Sequence, residues 1–450
     1  MGTALRLATA GILTATAILA SNGSAEATEG YFRNAYGARH GGLAGAGVAD
    51  GRDATAAALN PAGIIRTSTE LVIAATVFSP RREYDHISGA GFLPAFDIES
   101  DKNYFLIPNI AIGWRTPGLG FADAVALTMY GNGGMNTTYP ATSGGAFCPF
   151  PGMGPFCGGR AGVNLEQMML SLAFAKQVAP GVSVGIAPIL MAQKFDADGL
   201  AAFGGLSSDP AHLTNLRPDW AFGGGLRAGV EWTVMPGVRV AVAGTTPIWS
   251  QKFDGYRGLF AEGGSFDIPA SIQAGFAVDM TKNVTLMADW RRIFYSGVPA
   301  INNPSTNIGN CALGQPQFCL GASSGAGFGW EDINVYKVGL EMRHVMPNLD
   351  LRFGYAFAEQ PYGSRDVMFG TLAPGIVQHH FTAGGLLHEV LPNLDLEFAA
   401  AYVPAARVTG FELPLVAAGT GHTIASEMYQ FEVTMGFKYR FGGPAHEPLK

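Results

Sequence analysis

The chain has 450 residues and a formal net charge of −7, and only 14% of its residues are charged, whereas a soluble domain has about 25%. Its mean hydropathy is +0.18, and its 62 glycines are about twice the usual share. This composition excludes an ordinary set of soluble domains, because too little charge is available to cover their surfaces. The acidic balance offers no basic stripe, so no nucleic-acid partner is expected.

Residues 1–25 have the pattern of a secretory signal peptide. Arg6 precedes an apolar run over residues 7–20, and small residues follow up to Ala25 and Ala27, after either of which cleavage fits. An uncleaved membrane anchor is the alternative, but the run is short. No later run reaches the roughly 18 apolar residues of a transmembrane helix. The backbone solution that remains in a bilayer is a transmembrane β-barrel, so we predict an all-β fold.

Residues 26–69 lie between the signal peptide and the first predicted strand. Asp53 can cap a short helix over the alanines that follow it, and Pro61 ends that helix because the residue before a proline disfavours the α region. The segment is long enough to fill part of a barrel lumen. A disordered periplasmic extension is the alternative, but the segment is too apolar and alanine-rich for that reading.

Alternation of apolar and polar residues indicates the strands, and it is clearest at residues 429–441, which are long enough to cross a bilayer. The same alternation occurs at residues 336–342, 349–357 and 394–402, and a lone first strand runs from Glu70 to Phe78. Six short turns separate paired strands: Thr116-Pro117-Gly118, Ala179-Pro180-Gly181, Met235-Pro236-Gly237, Thr281-Lys282-Asn283, Met346-Pro347-Asn348 and Leu391-Pro392-Asn393. Proline presets the turn, and Gly or Asn accepts its left-handed position.

This spacing predicts fourteen antiparallel strands over residues 70–441, followed by a tail over residues 442–450. The short turns all fall on the side that outer-membrane barrels keep periplasmic, so seven long connections face outward. Tryptophans near predicted strand ends suggest an aromatic girdle: Trp114, Trp220, Trp232, Trp249 and Trp330.

Cys148 pairs by spacing with Cys157, and Cys311 with Cys319, because each pair is confined to one predicted outer loop. Two disulfides in an oxidising compartment are therefore expected. A zinc site needs tighter cysteine spacing, so we expect no metal and no cofactor.

Charged residues recur on the inward face of the predicted strands. The basic ones are Arg227, Arg239, Arg291, Lys337, Arg343 and Arg352, and the acidic ones are Glu231, Asp289, Glu341, Asp350, Asp395, Glu397 and Glu432. Such a balanced set predicts ion pairs that brace the wall. An unpaired cation could instead hold a ligand carboxylate, and Arg227 and Lys337, nearest mid-strand, are the candidates.

Residues 41–64 read GGLAGAGVADGRDATAAALNPAGI. The glycine run, the Asp53-Ala54-Thr55 sequence and the Asn60-Pro61-Ala62-Gly63 motif, ahead of fourteen strands, resemble the N-terminal hatch and barrel of the FadL-type outer-membrane transporters. The sequence from Leu351 to Gly363 and the aromatic last strand extend the resemblance over nearly the whole mature chain. Two features depart from the family pattern: the nine residues after Phe441, and residues 130–137, where family members often have a Pro-Phe-Gly element.

The resemblance implies passive transport of long-chain fatty acids, aromatic hydrocarbons or other hydrophobic compounds across the outer membrane of a Gram-negative cell. It implies a monomer that is inserted by the barrel-assembly machinery and surrounded by outer-membrane lipid and lipopolysaccharide. Outer loops would capture the ligand, a lumenal pocket would hold it above a hatch formed by residues 26–69, and a kinked third strand would release it sideways.

Glycines in a strand mark bulges or bends, so Gly131, Gly133 and Gly134 are the candidates for the kink; a plain strand end is the alternative. Apolar loop residues are the candidates for ligand capture, with packing inside the loops as the alternative: Phe150, Phe156, Leu200, Phe203 and Phe260.

Two other functions stay open. The first is a non-specific porin or a structural, adhesin-like barrel. The second is a membrane hydrolase that uses the histidine group of the twelfth strand, His379, His380 and His388. Sequence motifs of common enzymes are missing, so no enzymatic activity is expected.

Overall fold

The computed structural model describes residues 29–117, 119–141, 145–412 and 421–441. The predicted signal peptide, Gly118 of the first turn and the tail over residues 442–450 lie outside the described residues.

Fourteen antiparallel strands form one closed sheet, in which β1 pairs with β14 from Glu70–Arg440 to Ser88–Thr423. The strands are β1 (Glu70–Ser88), β2 (Phe105–Arg115), β3 (Ala124–Asn136), β4 (Gly162–Ala179), β5 (Val182–Asp198), β6 (Asp219–Met235), β7 (Val238–Thr245), β8 (Ser271–Thr281), β9 (Val284–Ile293), β10 (Ile333–Met346), β11 (Leu349–Ala358), β12 (His379–Leu391), β13 (Leu394–Phe411) and β14 (Thr423–Arg440). Two-residue strands at Ile98–Glu99 and Trp249–Ser250 pair with β1 and β6.

Helices in the described residues are short. The α-helices are Gly37–Gly41, Ala261–Gly264, Pro299–Asn302, Asn307–Ala312 and Val367–Gly370. The 3-10 helices are Ala54–Ala58, Pro61–Arg66, Pro155–Cys157, Ala201–Leu206, Pro210–His212, Asp254–Tyr256, Tyr295–Gly297 and Pro316–Phe318. None of the described helices has the length and apolar character needed to cross a membrane.

The predicted strand count and the positions of five of the six short turns are confirmed. The remaining connection, between β2 and β3, spans residues 116–123 and is longer than the predicted turn at Thr116-Pro117-Gly118. One boundary is wrong, because β1 continues past Phe78 to Ser88. Pro80 lies inside this extension opposite Gln430, and β14 extends equally far on the other side of the junction. The extended parts of β1 and β14 pair with each other along their whole length. The sequence of β1 alone does not reveal this pairing.

The outer face of the barrel is apolar. On β14 the side chains alternate, so that Tyr429, Phe431 and Val433 are exposed while Gln430 and Thr434 are buried. Other strands expose Ile73, Leu190, Phe222, Val242, Phe276, Tyr336, Phe353, Phe381 and Tyr402. A closed sheet with an apolar outside and a polar inside is the architecture of an outer-membrane barrel.

The N-terminal segment (residues 29–69) lies inside the barrel. Its helix Gly37–Gly41 contacts β12, β13, β14 and β1, and its 3-10 helix Pro61–Arg66 contacts β4, β5 and β6 on the other side. Asp53 caps the 3-10 helix Ala54–Ala58 by accepting a hydrogen bond from the Thr55 amide at 2.9 Å. The predicted cap is therefore present, and two tight helical turns replace the single helix that was expected.

Loops close the end opposite the short turns. Both predicted disulfides are present there, at Cys148–Cys157 and Cys311–Cys319. The girdle assignment is wrong for Trp330, which is fully buried and packs edge-on against Tyr295 with ring centroids 5.1 Å apart. Trp330 lies just before β10, near a strand end as predicted. Its side chain points into the loop core, the buried hydrophobic cluster that includes Tyr295, Ile301, Phe203 and Phe260.

Candidate functional site

The ladder between β2 and β3 ends before β3 does. Their pairing runs from Arg115–Ala124 to Asn109–Tyr130, and no described residue of β2 pairs with β3 beyond Tyr130. On its other edge β3 continues beside β4 as far as Asn136, but the register shifts between Gly131 and Gly133. Asn132 is the extra residue of this bulge. Bulges of this kind bend a strand and end its pairing.

The N-terminal segment pairs with β3 where β2 does not. The Arg33 amide donates to the Asn132 carbonyl at 2.9 Å, and the Gly134 amide donates to the Tyr31 carbonyl at 3.1 Å. A Cβ atom at Gly133 would lie 2.0 Å from the Tyr31 oxygen. This close approach requires glycine at position 133, and it gives that residue a role beyond a plain strand end.

A series of side-chain hydrogen bonds holds the bulged residue on the inner side of the wall. The side-chain amide nitrogen of Asn132, Nδ2, donates to Gln167 Oε1 at 3.1 Å, and the side-chain Nε2 of Gln167 donates to Gln193 Oε1 at 3.1 Å. The Tyr36 hydroxyl donates to Asn132 Oδ1 at 3.3 Å. The bulged residue is thus held both by the wall strands β4 and β5 and by the N-terminal segment.

A small cavity of about 10 Å³, the room of roughly one water molecule, adjoins this part of β3. The N-terminal segment, the end of β3, the loop before β12 and β14 all contribute to its lining: Gly30, Tyr31, Gly134, Met135, Asn136, Trp330, Ala373, Pro374, Gly375 and Met428. Aromatic, methionine and glycine surfaces dominate the wall, so the lining is largely apolar, and a small organic ligand can occupy the site only after these side chains move apart.

Buried ion pairs anchor the N-terminal segment to the barrel wall. Arg39 lies 2.7 Å from Asp50 and 3.0 Å from Glu341 of β10, and Arg239 of β7 lies 2.9 Å from Asp50. Arg352 joins Glu341 to Glu397 at 2.9 and 3.1 Å. Burial opposes the ionisation of Asp50, but the neighbouring guanidinium groups outweigh it and hold the pKa of this carboxyl well below its usual range.

The predicted ion pairs along the wall are therefore present. The prediction includes only wall residues, however, and several of their partners lie in the N-terminal segment. Arg39, Asp50 and Arg52 belong to the N-terminal segment, and Arg52 lies 2.7 Å from Asp50. Four charged residues, Arg39, Asp50, Arg52 and Asp53, lie within the largely apolar and glycine-rich residues 37–64, and they are the signal in the sequence from which these partners can be inferred.

The two candidate ligand cations have different surroundings. Lys337 is not free, because its ammonium lies 2.6 Å from the Glu29 carboxylate and donates to the Asn34 carbonyl at 2.8 Å. Arg227 is buried and donates to Thr245 Oγ1 at 2.9 Å and to the Tyr130 hydroxyl at 3.1 Å. Among the described residues no carboxylate forms an ion pair with Arg227, and it lies beside the point where the ladder of β3 ends.

The Asn60-Pro61-Ala62-Gly63 motif packs against the inner faces of β5 and β6. Asn60 Oδ1 accepts from the Ala62 amide at 3.0 Å, and Asn60 Nδ2 donates to the Val48 carbonyl at 3.0 Å. A Cβ at Gly229 would lie 2.1 Å from Asn60 Oδ1, and one at Gly185 would lie 2.3 Å from the Ala62 nitrogen. Glycines of the wall thus make room for the motif.

Four of the five candidate capture residues are not exposed. Phe156, Leu200, Phe203 and Phe260 are buried in the loop core, where Phe156 and Phe203 have ring centroids 5.2 Å apart, and only Phe150 is largely exposed. For these four residues the structure shows the alternative, packing inside the loops, because their side chains are buried against one another and against neighbouring loop residues.

The histidines of β12 do not form one group. His379 is exposed near the start of the strand, where Nδ1 lies 2.8 Å from the Tyr355 hydroxyl, and the His380 ring is buried. His388 lies at the opposite rim, 3.0 Å from Asp350. These histidines are therefore too far apart to form the one catalytic group that the hydrolase hypothesis requires.

Several solved structures have the same architecture. The Pseudomonas putida toluene transporter TodX matches with a TM-score of 0.65 at 14% identity, over 91% of this chain and 100% of TodX. The Ralstonia pickettii toluene transporter TbuX gives 0.61 at 14% identity, over 91% and 99%. A Pseudomonas aeruginosa FadL homologue gives 0.63 at 14% identity, over 92% and 100%. This barrel has the FadL-type fold. Neither a protein-family model nor a curated protein sequence matches the chain.

Asp50→Asn should destabilise the docked N-terminal segment of this FadL-type barrel by about 3–5 kcal/mol, the usual cost of removing one partner from a buried ion pair. Hydrogen exchange over residues 37–66 measures the loss. The control is Asp101→Asn, since Asp101 pairs with Arg160 at an exposed position, where such pairs contribute about 0–1 kcal/mol. Equal protection in the two variants would contradict the anchoring role.

Gly229→Val should displace Asn60 and the helix that it caps, because the new side chain overlaps the Asn60 amide. Ion conductance of the purified protein in planar bilayers should then rise above that of the wild type. Gly244→Val is the matched control, since a Cβ there meets nothing closer than 3.7 Å. Unchanged conductance in Gly229→Val would show that the motif does not obstruct the lumen.

Proposed function

We propose that this protein is a passive outer-membrane transporter that moves hydrophobic small molecules, such as aromatic hydrocarbons or long-chain fatty acids, from the outer loops into the bilayer. The observation that carries the proposal is the interrupted ladder at Asn109 and Tyr130, which lies beside a small cavity with a largely apolar lining. A ligand that widens this cavity and leaves it sideways meets a described stretch of the wall where the neighbouring strands β2 and β3 separate.

A lateral route fits the chemistry of an apolar cargo. Lipopolysaccharide opposes direct partitioning of such molecules from outside, and a water-filled channel offers them no gain in free energy. An exit into the hydrocarbon core transfers the ligand from one apolar environment to another, so it never has to be hydrated on the way. Gly131, Gly133 and Gly134 are the hinge of this proposed exit.

TodX and TbuX are toluene transporters, and their shared fold supports the same class of cargo here. The loop core around Phe156, Phe203 and Phe260 is the proposed entry region. Because these rings are packed together, entry requires the rings to separate, and the exposed Phe150 is the first contact that the proposal assigns.

The buried N-terminal segment favours this proposal over a non-specific porin. It contacts wall strands on opposite sides of the lumen, and its polar groups are paired with wall residues such as Glu341 and Arg239. A porin keeps a polar, water-filled channel. We therefore propose that residues 26–69 act as a hatch that supports the ligand from below.

Deleting Asn132 should abolish transport while the barrel still folds. The deletion removes the extra residue of the bulge, so β3 can continue in regular register with β4 and the wall no longer opens. Uptake of radiolabelled toluene and oleate by cells should fall to the level of cells without the protein. The control is deletion of Gly152, an exposed loop residue whose Cβ would have no neighbour within 4 Å. Undiminished uptake with correct heat-modifiable gel mobility would refute the lateral exit.

Arg227→Met separates the two classes of cargo. If Arg227 binds a carboxylate, oleate binding should weaken by about 10- to 100-fold, which corresponds to the roughly 1.5–3 kcal/mol of a hydrogen bond to a charged group. Toluene binding should not change. Arg407→Met is the control, because Arg407 is half-exposed and pairs with Asp85. Equal loss for both ligands would instead indicate that Arg227 only supports Tyr130.

A further inference from the structure

The short turns after β10 and β12 repeat one local structure. Their sequences are VMPNLDLRF from Val345 and VLPNLDLEF from Val390. In the first, His344 has a left-handed backbone (φ 51°) and its amide donates to Asp350 Oδ1 at 2.8 Å. In the second, Glu389 has φ 49° and its amide donates to Asp395 Oδ1 at 2.9 Å. The aspartate therefore has the same structural role in both turns.

The two turns differ in the side chain that the neighbouring strand places next to that aspartate. Asp395 forms an ion pair with Arg440, which the next strand, β14, supplies. Asp350 is also buried, but β12 supplies His388, whose Nε2 lies 3.0 Å from Asp350 Oδ1. A guanidinium group thus faces one aspartate, and an imidazole ring faces the other.

A second imidazole completes the group at Asp350. The His344 ring stacks on the His388 ring with centroids 5.2 Å apart and an interplanar angle of 26°. One ligand atom from each of His344, Asp350 and His388 lies within 4.8 Å of the other two. His344 is exposed and His388 is partly exposed, so an ion can reach the group from the aqueous side of the rim.

We propose that His344, Asp350 and His388 bind a divalent transition-metal ion of the zinc type at the rim that carries the short turns. Two imidazole nitrogens and one carboxylate oxygen are a donor set that Zn²⁺ uses, with water in the remaining position. The ion supplies the positive charge that Arg440 supplies to Asp395. It also links β10, β11 and β12, because each of these strands contributes one of the three ligands.

The competing explanation is a simple His388–Asp350 ion pair. His388→Arg separates the two, because arginine restores the partner found at Asp395 but removes a metal ligand. His344→Gln removes the exposed imidazole and leaves the His388–Asp350 contact in place. His379→Gln is the matched control, since His379 is exposed on the same strand as His388 but near the opposite rim.

The experiment titrates Zn²⁺ into chelator-treated, detergent-purified protein without a histidine tag, and it uses Co²⁺ absorption as a second reading. The wild type and His379→Gln should bind one equivalent. His388→Arg and His344→Gln should each bind at least about 10-fold more weakly, because even indirect ligand contacts change metal affinity by that factor.

Two results would overturn the proposal. One is the absence of saturable Zn²⁺ binding by the wild type, and the other is equal affinity in the wild type and His388→Arg. Heat-modifiable gel mobility confirms that each variant is a folded barrel. Because His344 is exposed, His344→Gln still gives a reading if the replacement at His388 disturbs assembly.

Discussion

Backbone hydrogen bonding is the constraint on which this structure depends. In a bilayer core an unpaired strand edge has no water to satisfy it, yet β3 leaves β2 after Tyr130. In this stretch, which contains the bulge at Asn132, Tyr31 and Arg33 of the N-terminal segment form backbone hydrogen bonds with β3. The wall can be interrupted because the interior supplies a substitute strand edge.

The charged residues in the lumen also hold the N-terminal segment against the wall. Arg39 and Asp50 would be costly to bury alone, but the wall offers Glu341 and Arg239 as partners. Neither the segment nor the inner wall is fully paired without the other. Glycines at positions 185, 229 and 133 then allow the close contacts on which this pairing depends.

Most of the barrel could be predicted from the sequence, because alternation and Pro-Gly or Pro-Asn turns are local signals. The strand count, the turns and both disulfides follow from such signals. The partners of Asp50, the burial of Trp330 and the pairing of Lys337 with Glu29 depend on residues that are distant in sequence. Neither periodicity nor composition can reveal such contacts. The sequence predicts a bend at Gly131, Gly133 and Gly134, but the role of Asn132 becomes visible only from the register between β3 and β4.

The N-terminal segment leads directly into β1, the strand that meets β14 at the junction of the closed sheet. Phe441, just after β14, donates its amide to the Thr69 carbonyl, so the beginning and end of the barrel touch where the chain passes from lumen to wall. No strand has to be crossed for residues 29–69 to enter the interior. During biogenesis, ring closure and interior filling can therefore be completed at a single place, and the segment need not be threaded through a finished cylinder.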